Sequence, residues 1–394
     1  MSGWRDRFGA EAARWQSAGL ERQRRVVRRL SATECEVDGR MVCAFAGNDY
    51  LGLACHPRLI EALAQGARCY GAGSGASHLV SGHLAVHEQL EAVLADFAGK
   101  PAALTFMNGY VANIALLTSL AREGDVIYSD RLNHASIIDG ARLSRAALKV
   151  YPHADVDALG SLLASSKARQ RLVVTDAVFS MDGDIAPLKD LLSLCERYDA
   201  LLLADDAHGI GVCGPQGRGT LQSLGLDSER LVYMGTLGKA AGLSGAFVAA
   251  DPLIIEHLIQ HARPYVFSTA SSPALAHATL TALELIRAAD GARARLAAHR
   301  LRLREASSQW PAYRLLASST AIQPLLVGDN RRVVAIAEAL LDEGVWVPAI
   351  RPPTVPEGTA RLRITLSGAH SSQQLERLCD ALTHVLARLE VSPA

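Results

Sequence analysis

No C-x-x-C pair occurs among the seven cysteines, which are scattered from Cys35 to Cys379. An odd, unpatterned set argues against a disulfide or zinc framework and fits reduced thiols in a cytoplasmic protein. The chain also lacks a charge excess of either sign, with 40 Lys and Arg against 40 Asp and Glu. No global field therefore recruits nucleic acid or an anionic membrane. Nor is there an apolar run of the roughly 18 residues that crosses a bilayer, or a signal-length apolar stretch near the N-terminus. These absences predict a soluble cytoplasmic protein with neither a nucleic-acid nor a membrane partner.

What is present is the composition of a globular protein, 49% hydrophobic and 20% charged over 394 residues. That length accommodates two or three domains with a large core. One local excess, Arg22, Arg24, Arg25, Arg28 and Arg29, reads as a solvated helix face or as a means of anion capture.

Three zones follow from the pattern. Residues 1–46 read as an amphipathic helix and a strand pair, Glu34–Val37 and Met41–Phe45, turning at Asp38-Gly39. Over 47–285, the short apolar runs Ala102–Met107, Asp125–Ser129, Leu172–Thr175, Leu201–Ala204, Leu231–Met234 and Ala246–Ala249 read as buried strands. Most are spaced for crossover helices, which implies an α/β fold with a mainly parallel central sheet and helices on both faces. Residues 286–394 read as a small C-terminal α+β domain, entered by a long helix from Glu284 to about Ser307.

Ligands of open α/β sheets sit at the carboxyl ends of the strands, so the polar residues there carry the chemistry. Asp205 and His208 follow one strand. A carboxylate so placed holds a pyridinium nitrogen protonated, or else the pair belongs to a hydrogen-bonded turn. Lys239 follows the next strand among small residues (Gly235-Thr236-Leu237-Gly238-Lys239-Ala240). Poor solvation lowers an amine's pKa and suits it to Schiff-base chemistry. Gly109 and Tyr110 sit where a strand feeds a helix, whose first N–H groups bind phosphate. His134 and Ser180 lie at further strand ends.

Other motifs fail. Gly71-x-Gly73-x-x-Ala76 follows a helical pattern (Leu59 to Cys69), not the strand a dinucleotide fingerprint needs. Thr236-x-x-Lys239 lacks the partner motifs of acyl-transfer enzymes. His83 and His87, at i and i+4 of a helical pattern, show no third ligand, so no metal centre is expected.

Asp205-Asp206-Ala207-His208-Gly209, Thr236-x-Gly238-Lys239 and Asn133-His134-Ala135-Ser136 together resemble the α-oxoamine synthases, which are fold-type I pyridoxal-phosphate enzymes. Asn48-Asp49-Tyr50-Leu51-Gly52, Gly71-x-Gly73-Ser74-Gly75 and Val178-Phe179-Ser180-Met181-Asp182-Gly183-Asp184 belong to the same pattern. The likeness runs from about Gly19 to His370. It implies that Lys239 carries the Schiff base and takes the α-proton, Asp205 pairs with the pyridine nitrogen, and His134 stacks on the ring. His208 and Ser180 then lie near the phenolic oxygen, and Gly109, Tyr110 and Thr236 near the phosphate. The family's shared dimer site implies a homodimer in which Ser268 and Thr269 reach the partner's phosphate. Arg363 resembles the arginine that grips the amino acid's carboxylate. Asn48 resembles a pocket-lining position, and Arg22 (Arg24 or Arg28 in a shifted register) and Thr354 face the acyl group. Ala349–Pro356 and Gly358–Thr365 resemble the branch that joins L-alanine to a pimeloyl thioester of coenzyme A or an acyl carrier protein. Glycine-using branches are the alternative.

Overall fold

The computed structural model describes residues 3–390. It forms two compact units: one comprises the residues up to Asn48, Met181–Gly183 and those from Ala294 onward, the other Asp49–Ser180 and Asp184–Arg293.

The second unit is built on a seven-stranded sheet. Across it run Ala102–Phe106, Ala246–Ala250, Leu231–Thr236, Leu201–Asp205, Arg171–Asp176, Val126–Asp130 and Ala147–Tyr151. Only Ala246–Ala250 runs antiparallel to its neighbours; the remaining pairings are parallel. Every residue of Leu231–Thr236 and of Ala246–Ala250 is buried, as expected for strands covered on both faces. On one face Leu104, Val174, Val232 and Val248 pack with Leu116, Ile137 and Leu258 of the helices Gly109–Leu120, Ala135–Leu143 and Pro252–His261. Burying each such side chain contributes roughly 1.5–3 kcal/mol. The mainly parallel α/β architecture expected from the spacing is present.

In the first unit, Glu34–Val37 and Arg40–Ala44 pair as a hairpin. Asp38 and Gly39 take φ of 48° and 83°, the left-handed pair that a two-residue hairpin turn requires. Val345–Trp346 adds in parallel beside Arg40–Ala44. A second sheet carries Arg314–Leu315, Ile322–Gly328, Ala360–Thr365 and Ala349–Ile350 in that order.

Four expectations need correction. The arginine run does not lie on a helix: Arg22, Arg24 and Arg25 lie outside any helix or strand, and Arg28 and Arg29 on the short strand Val27–Arg29. Arg25 there pairs with Asp38 (3.0 Å) and Glu338, and Arg28 with Glu36. The N-terminal helix exists as Trp4–Ser17 but buries none of its residues. The long helix is two, Pro273–Arg287 and Asp290–Ala306. The break falls at Ala288-Ala289, before Asp290-Gly291, two poor residues for a helix interior. The spacing also overlooks Ala147–Tyr151. That edge strand exposes most of its side chains and lacks a continuous apolar run.

Candidate active site

Four adjacent parallel strands of the second unit end in Asp130, Asp176, Asp205 and Thr236, and their following loops converge on one cavity of about 170 Å³. Gly109, Tyr110, His134, Ser180, Asp205, His208, Thr236 and Lys239, all singled out in the sequence, line it.

The Lys239 amine lies 2.8 Å from His208 Nε2, and His208 Nδ1 lies 2.6 Å from the hydroxyl of buried Tyr50. Buried Asp205 accepts on both oxygens, from the Ala207 N–H (3.0 Å) and from Asn113 Nδ2 (2.7 Å). Asp176 accepts from the His134 backbone N–H at 3.1 Å. Burial, with Asp205 beside it, holds the Asp176 carboxyl well above the ordinary carboxylate range. His134 contacts Ser136 Oγ through Nδ1 at 2.7 Å. Its pKa is lowered, chiefly by burial.

At the helix Gly109–Leu120, the Asn108 side chain accepts from the Val111 N–H, which leaves other first-turn N–H groups for an anion. The Thr236 hydroxyl donates to the Gly245 carbonyl (3.1 Å) and accepts from the Gly238 N–H (3.3 Å). The Tyr110 hydroxyl donates to Asp139, and its ring meets His134 edge-on. Ser268 and Thr269 do not line this cavity.

Arg22, Asn48, Thr354 and Arg363 belong to the first unit. Buried Arg363 donates to Asn48 Oδ1 (3.1 Å) and to Thr365 Oγ1 (2.9 Å). Arg22 reaches the Thr354 hydroxyl at 3.5 Å. Each of these two pairs, far apart in sequence, is thus brought together.

Sequence reasoning missed Asn113, Ser136, Asp176, Ala207 and Met234 among the lining residues. Signals existed for three. Asn113 is one helical turn beyond Gly109, Ser136 is two residues from His134, and Asp176 ends a strand as Asp205 does. The histidines also read differently in space. His83 precedes the helix Ala85–Ala98 that carries His87, and His78 supplies a third ring, its Nδ1 2.9 Å from His83 Nδ1. His87 has no lone pair to offer a metal, because Nδ1 accepts from the Leu84 N–H and Nε2 donates to the Ser271 carbonyl.

A planar pyridine bearing a phosphate arm needs an amine, a carboxylate, a ring to stack on and converging N–H donors. Lys239, Asp205, His134 and the start of Gly109–Leu120 supply that set in one cavity, so the residues fit pyridoxal phosphate.

Residues 40–382 match the family model described as aminotransferase class I and II. The chain is 56% identical over 372 residues to the 8-amino-7-oxononanoate synthase of Nitrosomonas europaea, covering 93% of this chain and 95% of that protein. With the 8-amino-7-oxononanoate synthase of a Janthinobacterium species it shares 54% over 382 residues, 94% and 96% of the two chains. Among solved structures, a serine palmitoyltransferase from S. paucimobilis with pyridoxal phosphate and myriocin bound superposes with a TM-score of 0.92. It is 28% identical, with 98% of each chain covered.

Proposed function

Because this chain belongs to the aminotransferase class I and II family, we propose that it carries out the reaction for which its relatives at 54–56% identity are named. It joins L-alanine to a pimeloyl thioester, giving 8-amino-7-oxononanoate, carbon dioxide and a free thiol, a step toward biotin. Pyridoxal phosphate, when bound, supplies an electron-withdrawing ring that acidifies the Cα–H of the amino acid. The observation that carries the reading is the Lys239 amine within hydrogen-bond distance of His208, in the cavity that also contains Asp205.

Lys239 holds the cofactor and then, as a free amine, takes the proton from Cα. Asp205 pairs with the ring nitrogen, and Asn113 and the Ala207 N–H fix its two oxygens. His134 covers the ring, while His208 and Ser180 attend its phenolic oxygen. Gly109, Tyr110 and Thr236 serve the phosphate. Arg363 takes the amino acid's carboxylate with a fork that lysine lacks. Asn48 lines the pocket, and Arg22 and Thr354 face the acyl substrate, carried by coenzyme A or by an acyl carrier protein. The working form is a cytoplasmic homodimer, with Ser268 and Thr269 extending to the partner's phosphate.

The test is an absorbance titration of the cofactor-loaded protein with L-alanine and with glycine, followed by pimeloyl-CoA and mass analysis of the product. A response to alanine and a product of the mass of 8-amino-7-oxononanoate is expected. A response to glycine alone would move the chain to the glycine-using branches, and no response to either would remove the assignment.

A further inference from the structure

Asp205 offers only acceptors to Asn113 and Ala207, so the Asn113 amide must turn its nitrogen toward it. The second hydrogen of that nitrogen goes to Ser136 Oγ at 2.9 Å. Asn113 Oδ1 is left buried without a partner, an orientation that costs stability. Reversing the amide would face this oxygen against the Asp205 carboxylate. With Ser136 Oγ accepting from Asn113, its own hydrogen has one acceptor among the described residues, His134 Nδ1 at 2.7 Å. The Ser136 backbone N–H converges on the same ring nitrogen at 3.3 Å. Two donors directed at Nδ1 leave no place for a proton there, which puts it on Nε2. Nε2 has no protein partner among the described residues, and the ring lines the cavity.

We propose that Asn113 and Ser136 are positioning residues that lock His134 as the neutral Nε2–H tautomer. The tautomer does not depend on the proposed reaction. The charged and titratable groups facing His134 are Asp205, Lys239 and Asp139, with Asp176 at its backbone N–H and the Tyr110 ring edge-on. Burial and the Lys239 charge disfavour the imidazolium, against the pull of Asp205 and Asp139.

The experiment is a long-range proton–nitrogen NMR spectrum of the cofactor-loaded protein with labelled histidine. His134 is assigned by the signal lost in His134→Gln. The expected signal is a neutral ring protonated on Nε2 at pH 7.5, and it is read without substrate, so failure of the functional assignment would leave it standing. Ser136→Ala removes a donor to Nδ1. It should mix the tautomers, raise the titration midpoint and lower kcat/KM roughly fivefold, as expected for one lost hydrogen bond. An Nδ1–H or doubly protonated ring in the unmodified protein overturns the proposal even if Ser136→Ala fails to fold. So does a Ser136→Ala signal identical to wild type.

Discussion

Tyr50 contributes a buried phenol whose oxygen lies 2.6 Å from His208 Nδ1, while the other ring nitrogen meets Lys239. An imidazole held from one side presents its second nitrogen in a fixed direction. Tyr50→Phe keeps the buried ring and removes the hydroxyl that makes this restraint. A single net hydrogen bond is worth about 0.5–1.5 kcal/mol, so cofactor affinity should weaken by roughly two- to tenfold while the melting temperature changes little. Equal affinity in the variant, measured by fluorescence titration, would make Tyr50 a packing residue alone. In the sequence Tyr50 stood inside a family-like motif with no role attached. Its partner is 158 positions away, and no local pattern encodes a pairing across that distance. Lys239 and Asp205 were legible because strand ends are legible: each follows an apolar run, and the fold brings all such ends to one edge.

The elements themselves were read best where burial is complete. Within the fully buried strands, Leu231–Met234 and Ala246–Ala249 stand out as unbroken apolar runs, whereas the largely exposed Ala147–Tyr151 blends into its surroundings. Helix contacts are subtler. Pro57–Tyr70 lies against Pro273–Arg287 at Gly66, where an added Cβ would come within 2.9 Å of Ala274 Cα and His277 Cβ. Gly66→Ala must therefore push the helices apart. Its gain in helix propensity is outweighed by overpacking of about 1–3 kcal/mol, seen as a lower denaturation midpoint; an unchanged midpoint would show that the pair can shift freely. A second junction is ionic. His153 bridges Asp130 (3.1 Å), at the end of one strand, and Asp184 (2.8 Å), in the loop after the sheet neighbour Arg171–Asp176. Burial opposes its charge, but the two carboxylates' hydrogen bonds and charges raise it to about 10. Since the folded value exceeds the unfolded one of 6.5, the bridge is fully stabilising below pH 6.5. That contribution is lost as pH rises through about 10. His153→Gln should flatten the fall in stability across that window, and a curve parallel to wild type would show that His153 carries no charge there.

At the scale of the whole molecule, the question is what covers the apolar side chains left in water. Ser77 and Thr269 form a backbone bridge, and the Ala270 N–H donates to the Ala76 carbonyl. The segment bearing Leu79 and Val80 is thereby tied to the one bearing Phe267. Val80 is 80% and Phe267 71% exposed, and clustered large apolar groups mark surfaces that associate. A second copy of the chain is the occupant the proposed function requires, since Ser268 and Thr269 are assigned to a partner's phosphate and do not line their own chain's cavity. Phe267→Asp would then place a charge in a closed apolar contact, where an unpaired carboxylate is costly. Sedimentation should shift from dimer toward monomer, and because the partner's phosphate contacts leave with the interface, cofactor should be lost on dilution in the same variant. A variant that stays dimeric and retains cofactor would exclude this face as the interface. A wild-type protein that sediments as a fully loaded monomer would remove the shared site itself.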